Sequence, residues 1–347
     1  MSEHKYAELA QKLREDIQTQ VYLCGQKLPS ENELAAKTGY SRQTVRQAMS
    51  ILENEGLTTR VQGSGTYVRS TKPKKVATNN IAVVTTYIGE YIFPAILQGI
   101  DHVLAKNGYT SMLSATRNRV DNERRILLDL LQKPIDGLIV EGTKTALPNP
   151  NIDLYEQFSQ ANTPVVFING FYPDLTSPVY VVADDRAGGR MASEYLLKKG
   201  HTKIAGIFKS DDIQGHRRYA GYVQALQSAG LTVEDDHVMW FTTENRESLL
   251  TACTMTAVEG CTAVVCYNDE VALQVSKILK KHNIKVPDKI ELASFDNSTI
   301  SRLTSVPFLS LCNPKEQIGC IAAEKLLHIL ENKTEQSVVL PWSMPTE

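Results

Sequence analysis

From Ile81 to Phe295 short apolar runs alternate with amphipathic stretches, and this alternation limits the fold of the 347-residue chain more than any other feature. The runs are IAVVTT (81–86), SML (111–113), GLIV (137–140), PVVFI (164–168), VYVVA (179–183), KIAGIF (203–208), TAVVC (262–266) and ELASF (291–295). Between them apolar residues recur at helical spacing near 94–107, 121–132, 151–161, 186–199, 215–229 and 270–282. Uninterrupted apolar runs suit strands buried on both faces, so the alternation predicts parallel sheets covered by helices on each side. There are too many units for one compact sheet, and the natural break lies near residue 180. The expected class is therefore α/β, with two doubly wound parallel-sheet lobes and a cleft between them. Such folds take ligands at the carboxyl ends of their strands.

The N-terminal part has a different pattern. Residues 6–22 place Leu9, Leu13, Ile17 and Val21 on one helical face. Ser30 and Glu33 form a capping-box pair that opens a second helix, and Gly39 closes it. Ser41 is placed to cap a third helix, in which Val45, Ala48, Met49 and Leu52 make one buried stripe. Arg42, Gln43, Arg46, Gln47 and Ser50 remain on the opposite face. Leu57–Val61 and Thr66–Arg69 read as two strands joined by Gln62-Gly63-Ser64-Gly65. Together these elements predict an α+β winged helix-turn-helix. Two Arg and two Gln on one exposed stripe suit base edges and phosphates, although an ordinary solvated face would carry the same residues. The stretch RSTKPKKVATNN (69–80) is polar, basic and broken by Pro73, as a linker would be, and its lysines are placed to reach a DNA backbone. The division expected is a DNA-binding domain over 1–70, a linker over 71–80 and an effector-binding and dimerisation domain over 81–347.

Charge is divided along the same line. Overall the chain carries a formal net charge of −2. Residues 1–75 hold 12 Lys and Arg against 8 Asp and Glu, whereas the remainder holds 25 basic against 31 acidic residues. Positive charge thus sits on the part expected to meet phosphates, but the excess is modest. Six cysteines show neither a CxxC pair nor a metal spacing, and reduced thiols are expected, with no metal and no cofactor. No apolar stretch reaches bilayer length and the first residues do not resemble a signal peptide, so a cytoplasmic location without membrane contact is expected. An enzyme is not expected, because there is no GxxxxGK[ST] loop and no GxSxG elbow. Gly63-Ser64-Gly65 lacks the third glycine and the following helix of a dinucleotide fingerprint. His201, where a helix ends and a strand begins, is expected to cap that helix. His216, beside Arg217 and Arg218, is open between a surface position and a ligand contact.

Two resemblances sharpen this reading. PSENELA (29–35), SRQTVRQAMSILENEGL (41–57) and GSGTYV (63–68) resemble the winged helix-turn-helix of the GntR family. The resemblance implies DNA contacts from Arg42, Thr44 and Arg46, a wing (Gln62, Gly63) in the adjacent minor groove, and Glu31 and Ser41 at the same surface. Gln43 and Ser64 complete the candidate interface. Beyond the linker, EYIFPAILQGIDHVLAKNGY (90–109), VVADDRAGGRMASEYLLKKGHTKIAGI (181–207), RYAGYVQAL (218–226) and YNDEVALQVSKILKKHNIKVPDKIELASFDN (267–297) resemble the effector domain of the lactose/galactose repressor family, itself similar to periplasmic sugar-binding proteins.

That second resemblance implies that Tyr91, Phe93, Arg218, Asn268 and Asp296 face the cleft, with His216 as a further candidate. Planar carboxylate, amide and guanidinium groups can each grip two neighbouring sugar hydroxyls, and an aromatic ring covers the apolar face of a sugar. Each position also has a plain structural role open to it. Tyr91 and Phe93 could be core, Asp296 could cap an element, and Asp269 is expected to cap the helix beginning at Glu270. The combination of head and effector domain is similar to arabinose-responsive repressors of Gram-positive bacteria. It implies a homodimer on operator double-stranded DNA, released by a small sugar effector, with L-arabinose first among candidates. A regulator using a corepressor or phosphorylated sugar is the alternative, with a sugar-metabolising α/β enzyme behind it. Departures are plain: Asn169-Gly170 stands where that family often carries Asp-Arg, the hinge helix is replaced by RSTKPKK, and LPWSMPTE differs from the usual closing strand.

Overall fold

The structure is a computed structural model that describes residues 3–69, 77–89 and 91–345, so most of the expected linker (71–76) lies outside the described residues. The chain divides into two compact units, Met1–Ala77 and Thr78–Glu347.

The first unit contains α1 (Glu3–Gln18), α2 (Glu31–Thr38), α3 (Arg42–Asn54), β1 (Thr58–Val61) and β2 (Gly65–Val68). Its capping is the one the sequence prescribes. The Ser30 hydroxyl accepts from the Glu33 amide while the Glu33 carboxylate accepts from the Ser30 amide at 2.7 Å. Gly39 ends α2 in the left-handed conformation, and the Ser41 side chain caps α3. Leu9, Leu13, Ile17, Leu34, Val45, Ala48, Leu52 and Leu57 form the core. The first helix ends earlier than expected, since Gln20 takes a positive φ of 61°, and Val21 is 61 % exposed and leaves the buried stripe. The wing pairs antiparallel from Thr58 with Val68 to Val61 with Gly65, so Gly65 belongs to a strand and the turn is one residue tighter than expected.

The second unit holds two lobes. In the first lie β3 (Asn80–Thr85), α4 (Phe93–Lys106), β4 (Thr110–Ala115), α5 (Val120–Leu131), β5 (Gly137–Val140), α6 (Ile152–Gln160), β6 (Val165–Ile168) and β7 (Val179–Ala183). The second comprises α7 (Asp185–Lys198), β8 (Ile204–Lys209), α8 (Ile213–Ser228), β9 (Val238–Phe241), α9 (Arg246–Ala257), β10 (Ala263–Cys266), α10 (Asp269–Lys281), β11 (Glu291–Asp296), α11 (Thr299–Leu303) and β12 (Leu309–Cys312). The chain then returns to the first lobe as α12 (Lys315–Leu330) and β13 (Val338–Leu340). Sheet orders are β13-β7-β6-β5-β3-β4 and β12-β11-β10-β8-β9, and neighbouring strands in both run parallel.

Successive residues of β3 point to opposite faces: Ile81 and Val83 pack with α4 and α12, Ala82 and Val84 with α5 and α6. In the second lobe α7 and α8 cover one face and α9 and α10 the other. A sheet buried on both faces explains why GLIV and AVVC are apolar throughout. The break falls just after β7. The lobes are nevertheless not consecutive in sequence, because α12 and β13 cross back to the first.

Candidate functional site

Parallel strands aim their carboxyl ends at one edge of the sheet, and in each lobe that edge faces the cleft. The residues at or just past those ends therefore line it: Thr86 and Glu141 from the first lobe, and Lys209, Thr243, Tyr267 and Asp296 from the second. The cleft encloses about 220 Å³.

Five of the six effector candidates meet there: Tyr91, Phe93, Arg218, Asn268 and Asp296. Tyr91, in the left-handed region at φ 59°, donates its phenol to the Asp296 carboxylate at 2.5 Å. The same oxygen accepts from the Asp269 amide at 3.1 Å. Burial, together with Asp296 and Asp269, pushes the Tyr91 phenol well up, so it stays a donor. Asp296 also takes a positive φ of 98°, and Asn313 donates to its second oxygen at 2.9 Å. Phe93 serves both roles weighed for it, packing in the core against Tyr87 while lining the cleft.

Arg218 is 2 % exposed and fully held. Its Nε donates to Asp185 at 2.9 Å and its Nη1 to the Tyr267 carbonyl at 2.5 Å, while the rings of Phe295, Tyr267 and Trp342 lie within 5.0 Å. Such an enclosed guanidinium presents its remaining N–H groups in one fixed direction. Trp342 belongs to the closing segment LPWSMPTE.

Asn268 is the cap of α10, its Oδ1 accepting from the Val271 amide at 3.0 Å, which leaves the amide nitrogen for the cleft. This corrects the expectation for Asp269. That carboxylate lies inside the helix start and is satisfied by Ser294, Ser298 and Ser310. His216 is also corrected. It is exposed, donates toward the Ser210 carbonyl at 2.8 Å, packs on Trp240 and does not line the cleft. The His201 ring does not cap the preceding helix, whose end its backbone amide closes on the Leu196 carbonyl at 3.2 Å; the ring instead bridges Glu291 at 3.0 Å and Thr262 at 2.9 Å.

Several lining residues escaped sequence reasoning. Glu141 is buried, with one oxygen accepting from the Thr86 amide and hydroxyl and the other from Asn169 at 2.8 Å. Burial raises its carboxyl above the usual range. Asn169 therefore orients this carboxylate. Lys209 pairs with Asp212, and Arg246 with Glu270 at 2.8 Å.

In the first unit Arg42, Gln43, Arg46, Gln47 and Ser50 share one exposed face of α3. Ser41 and Thr44 bond each other at 2.9 Å at its start. Glu31 binds Arg46 at 3.0 Å and Arg60 at 3.4 Å, which fixes two guanidinium groups in direction. Those arginines draw its carboxyl below the usual range, Arg46 most. Gln62, Gly63 and Ser64 form the exposed wing tip, with Gly63 at φ 74°.

Residues 5–68 match the model for bacterial regulatory proteins of the gntR family, and residues 193–344 match the periplasmic binding protein-like domain. Over 340 residues the chain is 36% identical to an arabinose metabolism transcriptional repressor of Geobacillus stearothermophilus, covering 96% of this chain and 93% of that one. This chain belongs to the arabinose metabolism transcriptional repressor family. A second member, from Halalkalibacterium halodurans, is 34% identical over 97% of this chain and 94% of its own. Among solved structures, a transcriptional regulator CelR–cellobiose complex has a TM-score of 0.69 at 21% identity over 92% of this chain and 99% of that one. The transcription regulator CcpA of Lactococcus lactis gives 0.68 at 24% over 77% and 97%. These two likenesses show the fold. As a member of the repressor family the chain is a DNA-binding transcriptional regulator with a sugar effector, and not an enzyme. No helix among the described residues is long and apolar enough to cross a membrane.

Proposed function

We propose that this repressor binds a near-palindromic operator as a homodimer and that L-arabinose releases it. Residues 1–70 would contact DNA, 71–80 would link, and 81–347 would bind sugar and dimerise, in the cytoplasm. At the DNA surface, Arg42, Gln43, Thr44 and Arg46 would read the major groove and Gln62, Gly63 and Ser64 the minor groove, supported by Glu31 and Ser41. A small net positive head makes a dimer advantageous, because two recognition helices about one helical turn (~34–36 Å) apart double the contacts.

The observation that carries the sugar assignment is the donor and acceptor set at the strand ends. Two carboxylates (Glu141 and Asp296), a primary amide (Asn268) and a caged guanidinium (Arg218) converge with the aromatic rings of Tyr91 and Phe93 on one small cleft. Adjacent hydroxyls are what such a set grips, and the naming of the relatives as arabinose metabolism repressors supports L-arabinose as the sugar. Calorimetric titration with a panel of monosaccharides tests this. Micromolar L-arabinose binding that is lost in Asp296→Ala is the expected result. Preferential binding of another sugar, or of a phosphorylated one, would replace the assignment.

A further inference from the structure

One margin of the cleft is bridged by direct bonds between the two lobes. Lys144 of the first lobe donates to Glu244 of the second at 2.5 Å. Beside it Asn118 donates to Thr243 at 2.7 Å, and the Ala146 amide reaches the Asp211 carbonyl at 3.2 Å. The Ile213 amide donates to the Thr145 hydroxyl at 3.1 Å. Each of these bonds crosses from one lobe to the other. On the first lobe they share one scaffold, since the Asn118 carbonyl oxygen also accepts from the Lys144 amide at 2.9 Å. On the second lobe Asp211 takes the Thr243 hydroxyl at 2.8 Å, tying the facing residues together.

The backbone is unusual at the same place. Arg117, Asn118 and Lys144 have φ of 55°, 52° and 47°, left-handed values that side-chain-bearing residues adopt at a cost. Two strained segments of the first lobe are thus held to present an amide and an ammonium to the second. Asn118, Thr145 and Thr243 line the cleft, whereas Lys144 and Glu244 do not.

We propose that this inter-lobe cluster is a latch that sets how long an enclosed sugar stays bound, with Lys144–Glu244 as its electrostatic clasp. The residence-time claim rests on the sugar reading above; the latch itself rests on the cross-lobe bonds alone. A bound sugar cannot leave until the lobes separate, and separation must break the clasp, so latch strength enters the dissociation rate and not the encounter rate. Glu244 is 52 % exposed, so the clasp is partly screened and its effect is moderate.

The full-length protein and its Lys144→Met and Glu244→Gln variants, singly and together, provide the test. Two measurements are made: L-arabinose dissociation by stopped flow, and hydrogen exchange at the Ala146 and Ile213 amides without sugar. Each single variant is expected to speed both by about two- to five-fold, the range an exposed ion pair supports. The double variant should be no faster than the singles, because one pair is removed either way. Raising the salt concentration should accelerate dissociation in the native protein but not in the variants. Native-like exchange and dissociation in both single variants would overturn the latch. If the native protein takes no L-arabinose, the sugar reading fails, and exchange alone decides the latch: faster exchange in the variants supports it, unchanged exchange overturns it.

Discussion

Glu141 shows how one residue can couple binding chemistry to pH. Its carboxylate is buried: three donors from Thr86 and Asn169 satisfy it, and among the described residues no cation is bonded to it. Burial is the largest influence and raises its pKa, the hydrogen bonds offsetting only part. The folded protein therefore keeps this proton to a higher pH than the unfolded chain does. The stability contributed by Glu141 is fully present below the unfolded value and is lost as pH rises through the raised one. Replacement by Gln removes that loss. The melting temperature of Glu141→Gln should accordingly gain on the native protein as pH rises from the acid range to neutral. L-Arabinose affinity should fall about 10- to 100-fold in the same variant, the loss expected when a charged acceptor becomes neutral at ~1.5–3 kcal/mol. Melting curves and titrations at several pH values check both. A variant that bound sugar natively would remove Glu141 from the binding set.

At the scale of elements, α7 and α8 touch backbone to backbone, and glycine is what permits it. A Cβ at Gly221 would lie 2.1 Å from the Arg186 carbonyl oxygen, and one at Gly189 would lie 2.0 Å from that of Arg218. Neither clash can be relieved by turning a side chain, so the helices must move apart. Arg218 sits one turn before Gly221 on α8 and reaches Asp185 at the start of α7, so the displacement acts directly on the cleft. Gly221→Ala should destabilise the fold by about 1–3 kcal/mol, the usual range for overpacking, and weaken sugar binding as well. Denaturant midpoints with unchanged slopes, together with a titration, would show both effects. Native affinity in a destabilised variant would separate helix packing from the placement of Arg218.

The same scale explains what could be read in advance. Helices with strong periodicity and strands that are uninterrupted apolar runs were legible to within a few residues, as GLIV and VYVVA show among the strands. The strand VMWF and the helix after it were missed, and α9 buries only Leu250, Thr254 and Ala257, too few to mark a helical face. The return of α12 and β13 to the first lobe was also invisible, because local pattern carries no information on which sheet a strand joins. For the cleft, Asp296 was placed by its position at a strand end. Applied to every strand read from the sequence, that rule would also have found Thr86, Glu141 and Lys209, while Thr243 follows the strand that was missed. His216 was misplaced because standing two residues before Arg218 puts it about 200° around the helix, toward Trp240.

At the scale of the whole molecule, repression and induction are two sides of one coupling free energy. The positive charge excess lies in the first 75 residues and the negative excess in the rest, so phosphate attraction belongs to the DNA-binding unit and the sugar meets an acidic one. A neutral sugar does not compete for phosphate contacts. It can release DNA only by favouring a conformation that binds operator less well. Thermodynamic linkage then requires operator to weaken sugar by the same factor. A coupling of ~3 kcal/mol corresponds to roughly 150-fold, enough to change occupancy from nearly full to slight. The prediction is that saturating L-arabinose raises the operator Kd by about two orders of magnitude and that saturating operator raises the L-arabinose Kd equally. Both legs can be measured at one salt concentration, by fluorescence anisotropy for DNA and calorimetry for sugar, since operator affinity depends steeply on ionic strength. Equal factors establish the linkage. If sugar left operator affinity unchanged the induction mechanism would fail, and if sugar tightened it the effector would be a corepressor.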